Sequence, residues 1–193
     1  MKTVAVLLAA GLSTRMGRNK LLLELNGEPL VRRSVRGLLE AGFSRVTVIT
    51  GHAPEVIKAA LEGLPCDFAF NPNFATAGME ASLRTAVLSL APDVDALLFT
   101  LADQAFVTPS MLQNLLESMG DAPIAASKFG EVIAPPHIFA RELFGVLGTV
   151  GNGAKPLINR YLERVAFVDQ PPEGLFDLDT PEDYAAAALS SLV

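Results

Sequence analysis

Val4-Ala5-Val6-Leu7-Leu8 is a continuous apolar run of strand length. It breaks at Ala9-Ala10-Gly11 into a loop that carries two glycines, two hydroxyls and three cations before Leu21-Leu22. A run that is apolar on both faces reads as a central strand of a parallel sheet covered on both sides. The loop after such a strand sits at its carboxyl end, where open α/β sheets take ligands. Residues 9–20 are therefore expected to hold a phosphate-rich ligand.

The rest of the chain alternates strand and helix patterns. Asn26-Gly27 is a turn signal, and Pro29 suits the start of a helix with Leu30, Val31, Val35, Leu38 and Leu39 on one face. Val46–Ile49 and Cys66–Phe70 read as strands, with a helix over Ala53–Leu61 between them. A helix is expected at about Ala81–Leu90, and a second strongly buried strand at Asp95–Leu101. Thr108-Pro109 starts the helix Met111–Met119. Short strands follow at Pro123–Ala126 and Val132–Ala134, then helical patterns at Ala140–Leu147 and Ala154–Leu162 and a strand at Val165–Val168. Thr180, Pro181 and Asp183 are spaced as cap, first turn and capping-box acid of a last helix running to about Ser191. This order predicts a three-layer α/β domain with a largely parallel sheet. With no tandem repeat, low-complexity stretch or linker, residues 1–193 read as a single domain.

Half of the residues are apolar, the mean hydropathy is +0.37, and no apolar run reaches the length of a membrane span. The segment Met1-Lys2-Thr3 enters the first strand directly, so no signal peptide is expected. The single Cys66 argues against a disulfide or a structural zinc cluster. A cytoplasmic location with no membrane partner fits. The net charge of −6 and pI near 4.9 disfavour a nucleic-acid partner. Against that acidic background, Arg15, Arg18 and Lys20 fall within six residues.

The loop lacks the glycine-lysine-serine/threonine order of a Walker loop and the Gly-x-Gly-x-x-Gly of a dinucleotide fold. It does contain the parts for gripping a triphosphate. Ala9, Ala10 and Gly11 let a ligand approach the backbone, whose N–H groups can line up on phosphate oxygens. Arg15 offers a planar fork of donors, and Lys20 a mobile point charge. Ser13 and Thr14 either add hydrogen bonds to the ligand or brace the turn. Asp103 follows the second buried strand and can reach the same crevice. A carboxylate there suits magnesium, a hard cation that shares its shell with phosphate and water. Asp177 and Asp179 alternate, so they share a face in extended backbone, and one of them can complete that site. Gly78-Met79-Glu80-Ala81-Ser82 is a further loop-to-helix turn whose free N–H groups favour anions, with Ser82 in reach of a base or ribose. His52 and His137 stand alone and read as structural.

Taken in order, Leu8-Ala9-Ala10-Gly11-Leu12-Ser13, Arg15-Met16-Gly17, Lys20, Pro29-Leu30, Gly51-His52, Asn71-Pro72, Gly78-Met79, Ser82-Leu83-Arg84, Asp103-Gln104, Thr108-Pro109 and Asp177 through Asp183 resemble the nucleotidyltransferases of molybdenum cofactor biosynthesis. The resemblance covers nearly the whole chain. It implies a Rossmann-like α/β/α nucleotidyltransferase fold with a mostly parallel, mixed sheet. Leu8-Ala9-Ala10-Gly11 is similar to the cytidylyl branch, whereas the guanylyl branch typically carries Leu-Ala-Gly-Gly there. The implied reaction is transfer of CMP from CTP to the phosphate of molybdopterin, with Mg2+ as cofactor and a recipient molybdoenzyme as a further partner. On this reading Leu8, Ala9, Ala10, Gly11, Ser13, Arg15, Lys20, Ser82 and Asp103 bind nucleotide. Arg15, Lys20 and Asp103 serve catalysis, and Asp103, Asp177 and Asp179 serve the metal.

Two segments depart from the family pattern. Ile133-Ala134-Pro135-Pro136-His137 replaces a Gly-His-Pro or Gly-Asn-Pro segment, and Gly151 stands where the family has aspartate. Both lie on the acceptor side. They leave open another phosphorylated acceptor or GTP in the same fold, or a binding module that delivers cofactor without transfer.

Overall fold

The computed structural model describes residues 1–149 and 151–189; the side chains of Arg15 and Leu189 are outside that description. The first strand, β1, is Thr3–Ala9. A two-stranded hairpin follows, β2 (Glu24–Leu25) and β3 (Glu28–Pro29). Asn26 and Gly27 link it at φ 53° and 76°, the left-handed pair that a two-residue hairpin turn needs. Then come α1 (Leu30–Glu40), β4 (Val46–Thr50), α2 (Pro54–Ala60), β5 (Cys66–Phe70), α3 (Met79–Ser89), β6 (Ala96–Leu101) and α4 (Pro109–Ser118). The second half holds β7 (Ile124–Phe129), β8 (Val132–Ala140), α5 (Lys155–Arg160), β9 (Val165–Asp169) and α6 (Pro181–Leu189).

Seven strands form one sheet in the order β5-β4-β1-β6-β8-β7-β9, parallel throughout except β8, which runs against both neighbours. The order proceeds outward from β1 in both directions. The connections leaving β1 and β6 therefore diverge, and a crevice opens between the carboxyl ends of these two strands.

Side-chain alternation sends the two faces of each strand into different layers. Ala5, Leu7, Val46, Val48 and Leu98 pack against Val31, Val35 and Leu38 of α1, Ile57 of α2, and Leu112 and Leu115 of α4. Val6, Leu8, Ile49, Leu97 and Phe99 pack against Leu83 and Ala86 of α3, and Leu157 and Ile158 of α5. The expected three-layer α/β domain with a mostly parallel, mixed sheet is the observed architecture. A third cluster joins Met16, Leu23, Leu25 and Leu30 to Phe106, Leu178 and Ala187, tying the first loop and the hairpin to the last helix. Tyr184 of α6 adds a hydroxyl bond to the Glu24 carbonyl at 2.6 Å.

Two helix starts follow the sequence chemistry closely. Thr108 Oγ1 accepts from Met111 N at 3.3 Å, capping α4. Thr180 and Asp183 form a reciprocal capping box: Asp183 N donates to Thr180 Oγ1 at 3.2 Å, and Thr180 N to Asp183 Oδ2 at 2.8 Å. The expected end of this helix, near Ser191, lies outside the described residues.

The region after residue 123 departs from expectation. In place of a helix over Ala140–Leu147, β8 continues to Ala140, and only a 3-10 turn, Arg141–Leu143, and further turns follow. Leu143 and Leu147 are apolar at helical spacing but serve as single contacts to the α3/α5 core. Pairing of β8 with β6 from Ala96↔Ala140 to Phe99↔His137 overrides the local helical pattern. Pro135-Pro136 interrupts the strand pattern of β8, with a cis bond between them and a register shift against β7 between Ala126 and Lys128.

That strand places His137 in the core. It is 2% exposed, edge-on to Phe99 and Phe139 with ring centroids 5.5 and 6.4 Å away, and its Nδ1 has no hydrogen-bond partner. Burial pushes its pKa down to about 3, against a weaker upward pull from the Pro136 backbone. The unfolded chain takes up that proton near pH 6.5, so stability falls as pH drops from about 6.5 toward 3. Urea unfolding of wild type and His137→Leu is therefore expected to show a pH-dependent gap. By pH 5 wild type loses about 2 kcal/mol more than the variant relative to pH 7.5. Identical pH profiles would contradict a neutral buried imidazole.

Candidate active site

The crevice between β1 and β6 is built from the two apolar strands inward. Leu8 of β1 is in register with Leu101 of β6, and Ala102 N donates to the Leu8 carbonyl at 3.1 Å. The chain therefore leaves both strands at the same level, and residues 10–20 and Asp103 face one another across the gap. The first loop turns at Ser13, which takes left-handed φ 53°, into a 3-10 turn, Thr14–Met16. Met16 is buried in the third cluster and anchors that turn. Ser13 Oγ accepts from Lys20 N at 3.2 Å, so this hydroxyl braces the loop. Arg15 lies in the turn, and its side chain is outside the described residues.

Asp177 and Asp179 reach the crevice through Leu178. That side chain is fully buried in the third cluster, a contribution of about 1.5–3 kcal/mol, and its neighbours in extended backbone point the other way. Leu178 N donates to the Asp103 carbonyl at 3.2 Å, and Gln104 and Asp177 form an antiparallel bridge. Three acids thus come from two distant stretches of chain to one place.

Lys20 sits among them. Its Nζ lies 2.6 Å from Asp103 Oδ2 and 2.6 Å from Asp179 Oδ1, with 12% of the side chain exposed. Burial alone would lower the Lys20 pKa, but Asp103 and then Asp179 outweigh it and leave the ammonium above its usual value. Asp177 shows the opposite stress. It keeps contact with solvent, yet crowding by protein atoms, followed by the charges of Asp103 and Asp179, pushes its pKa up to about 6 against the pull of Lys20 and Gln104. Among the described residues no three acids form a ready cation cage. Two of the three acids expected to serve the metal, Asp103 and Asp179, hold the Lys20 ammonium. The donor set still suits a hard divalent cation, since it consists of carboxylate oxygens.

A cleft of about 290 Å3 opens over this cluster. Its lining includes Leu8, Ala9, Ala10, Gly11, Ser13, Lys20, Ser82 and Asp103, so it gathers every expected nucleotide-binding residue except the undescribed side chain of Arg15. The lining also includes Asn71, Phe74, Gly78 and Met79. Asn71 and Phe74 were not singled out as ligand contacts in the sequence. Asn71 is 1% exposed, takes Asn73 N onto Oδ1 at 2.9 Å, and donates from Nδ2 to Ser82 Oγ at 3.1 Å. Its signal was the Asn-Pro-Asn at the end of β5, which reads equally well as a plain turn.

A larger groove, about 720 Å3, runs between the hairpin, α1 and the start of α4. Most of its charges are engaged with one another or with backbone: Arg36 with Glu28 at 3.2 Å and Glu40 at 3.1 Å, and Arg33 with the Ala105 carbonyl at 3.2 Å. The smaller cleft is the one that gathers Lys20 and Asp103 at the carboxyl ends of β1 and β6.

Residues 5–165 match the MobA-like NTP transferase domain, and the chain belongs to that family of nucleotidyltransferases. It is 32% identical over 192 residues to the purine catabolism protein PucB of Bacillus subtilis (strain 168), covering 94% of this chain and 93% of that one. It is 36% identical over 132 residues to the bifunctional protein GlmU of Sorangium cellulosum, covering 63% of this chain but only 28% of that protein's length. A probable molybdenum cofactor guanylyltransferase of Natronomonas pharaonis is 29% identical over 197 residues, with 94% and 95% covered.

Among solved structures, a nucleotidyl transferase from Methanothermobacter superposes with a TM-score of 0.84 at 27% identity, covering 96% of this chain and 95% of that one. Rv0371c of Mycobacterium tuberculosis H37Rv does so at 0.84 and 26%, covering 98% and 99%. A manganese complex of the same protein gives 0.75 at 25%, covering 98% and 99%.

Two glycines near the cleft differ in the space around them. A Cβ on Gly51 would lie 2.5 Å from Phe74 Cβ and 2.6 Å from the Ala10 carbonyl, whereas one on Gly11 meets nothing within 4 Å. Gly51→Ala is expected to lower both the thermal midpoint and nucleotide affinity. Gly11→Ala is expected to hold its midpoint and lose affinity at least about tenfold, a penalty in the range of a lost close contact. Calorimetric binding of nucleoside triphosphate alongside thermal denaturation checks both.

Proposed function

We propose that residues 1–193 form one nucleotidyltransferase domain that moves CMP from CTP to the phosphate of molybdopterin in the molybdenum cofactor, releasing pyrophosphate. The observation that carries the reading is the Lys20 ammonium held at 2.6 Å by both Asp103 and Asp179 in a cleft walled by Leu8–Gly11. A mobile cation, a carboxylate set and open backbone in one crevice suit a triphosphate split at its α-phosphorus.

In the proposed reaction an acceptor phosphate oxygen attacks the α-phosphorus in line. The new O–P bond forms as the bond to the β-phosphate oxygen breaks, and the electron pair leaves with pyrophosphate. No protein nucleophile is needed, so catalysis comes from positioning and charge. Ala9–Gly11 present backbone to the phosphates. Lys20, with Arg15, holds the triphosphate and offsets charge on the leaving group, which requires Lys20 to turn from its carboxylates toward phosphate. Asp103, with Asp177 or Asp179, would hold Mg2+, which when bound supplies Lewis-acid stabilisation of the phosphate oxygens. Ser82, with Asn71 behind it, faces the base or ribose. Manganese in the Rv0371c complex supports a divalent ion for this fold.

The methyl of Ala10 narrows the cleft and favours a pyrimidine. The name of the Natronomonas relative supports molybdenum cofactor as acceptor, and also a second reading in which GTP is the donor. The product would pass to a recipient molybdoenzyme, with cytoplasmic location part of the same reading. Pyrophosphate release from each of the four triphosphates, with Mg2+ and molybdenum cofactor, tests this. CTP is expected to give the highest kcat/KM, and Asp103→Ala or Lys20→Ala to lose about 10²–10³-fold. Preference for GTP would move the donor to the second reading, and full turnover by either variant would contradict the site assignment.

A further inference from the structure

Phe74 lines the cleft beside Ala10, Asn71 and Ser82, yet the proposed chemistry gives it no role. It stands outside the three apolar clusters of the described residues and stays half-buried. Its position is fixed from several sides. It packs directly over Gly51, where a Cβ would lie 2.5 Å from Phe74 Cβ, 2.8 Å from Phe74 Cγ and 2.6 Å from the Ala10 carbonyl. Phe70 meets the ring edge-on with centroids 6.1 Å apart, and His52 lies tilted at 6.4 Å. The backbone beneath is a closed turn. Asn73 N donates to Asn71 Oδ1 at 2.9 Å, Phe74 N to the Asn71 carbonyl at 3.4 Å, and Thr76 N and Ala77 N to the Asn73 carbonyl at 3.1 and 3.0 Å. Asn71 itself is 1% exposed and turned inward onto Asn73 and Ser82, so this part of the wall presents a ring rather than an amide. A ring held in this way offers a preformed apolar surface, and little ordering is left for a ligand to bring about.

We propose that Phe74 is the shelf on which the nucleobase of the triphosphate stacks. The inference rests on the reading of this cleft as the triphosphate site. Lys20 and the backbone of Ala9–Gly11 serve the phosphates, and charge alone does not tell a nucleotide from inorganic triphosphate. A flat aromatic ring adds contact that only the base can use. Every base has a π-face, so the shelf anchors a nucleobase without choosing among them. The Ala10 carbonyl and Phe74 flank the same empty Cβ position at Gly51, which sets the shelf against the loop that takes the phosphates. If the ring were only a cover over Gly51, its loss would disturb the whole cleft, the phosphate end included.

Calorimetric titration at fixed Mg2+ compares CTP, GTP and inorganic tripolyphosphate on wild type, Phe74→Leu and Phe74→Trp. Leucine keeps apolar bulk over Gly51 and removes the aromatic face. It is expected to weaken whichever of CTP and GTP the wild type binds by about 5–100-fold, the range of one base on one ring. Tripolyphosphate affinity is expected to stay within about twofold of wild type, because that probe has no base to lose. Phe74→Trp restores the stacking surface and, since the chain has no tryptophan, adds a single fluorophore. Its emission is expected to change on adding the nucleotide and to stay constant on adding tripolyphosphate, a measurement that serves if Phe74→Leu does not fold. Unchanged nucleotide affinity in Phe74→Leu, an equal loss for nucleotide and tripolyphosphate, or tryptophan emission that responds alike to both would overturn the inference and leave the triphosphate reading standing. So would a wild type that binds tripolyphosphate as tightly as CTP and GTP. A wild type that binds none of the three would overturn both.

Discussion

The parallel pairing of β1 with β6 is the constraint on which this molecule depends. It places two predominantly apolar strands side by side in the middle of the sheet, and their onward connections diverge. The chain cannot close the gap at their carboxyl ends, so polar groups can gather there without breaking the core beneath. Lys20 and Asp103 come from those two connections. Their contact at 2.6 Å is the chemical expression of the strand order.

The third side of the site is held differently. Asp177 and Asp179 lie far from both strands in sequence, and hydrophobic burial brings them in. Leu178 is drawn into the cluster formed by Met16, the hairpin and α6, and alternation then turns its acidic neighbours toward Lys20 and Asp103. The capping box at Thr180 and Asp183 starts α6 immediately afterwards and limits the freedom of the segment. Burial first, and the neighbouring Asp103 and Asp179 second, leave Asp177 with a raised pKa.

Much of this was legible in the residues because the controlling effects are local. The two buried strands, the Asn26-Gly27 turn, the Thr108 and Thr180 caps and the loop from Ala9 to Lys20 each carry their own signal. The gathering of Leu8, Ala10, Lys20, Ser82 and Asp103 around one cleft follows from strand–helix alternation plus the rule that ligands sit at carboxyl ends. The missed features depend on contacts distant in sequence. β8 contains two prolines and ends in a helix-like apolar spacing, so only its ladder with β6 reveals the strand. The Gln104–Asp177 bridge joins residues more than seventy positions apart and leaves no periodicity to read. Asn71 gains its place at the cleft from its bond to Ser82, which its turn-like surroundings conceal.

The central claim is that the triphosphate lies in the crevice between β1 and β6, over Lys20 and Asp103. A crystal structure with a non-hydrolysable CTP analogue and Mn2+ measures this directly, using the anomalous signal of the metal. The account predicts phosphates against Ala9–Gly11, Lys20 Nζ moved from Asp103 and Asp179 onto phosphate oxygen, and the anomalous peak beside Asp103. Nucleotide bound in the larger groove between α1 and α4, or an anomalous peak away from Asp103 with Lys20 unmoved, would contradict it.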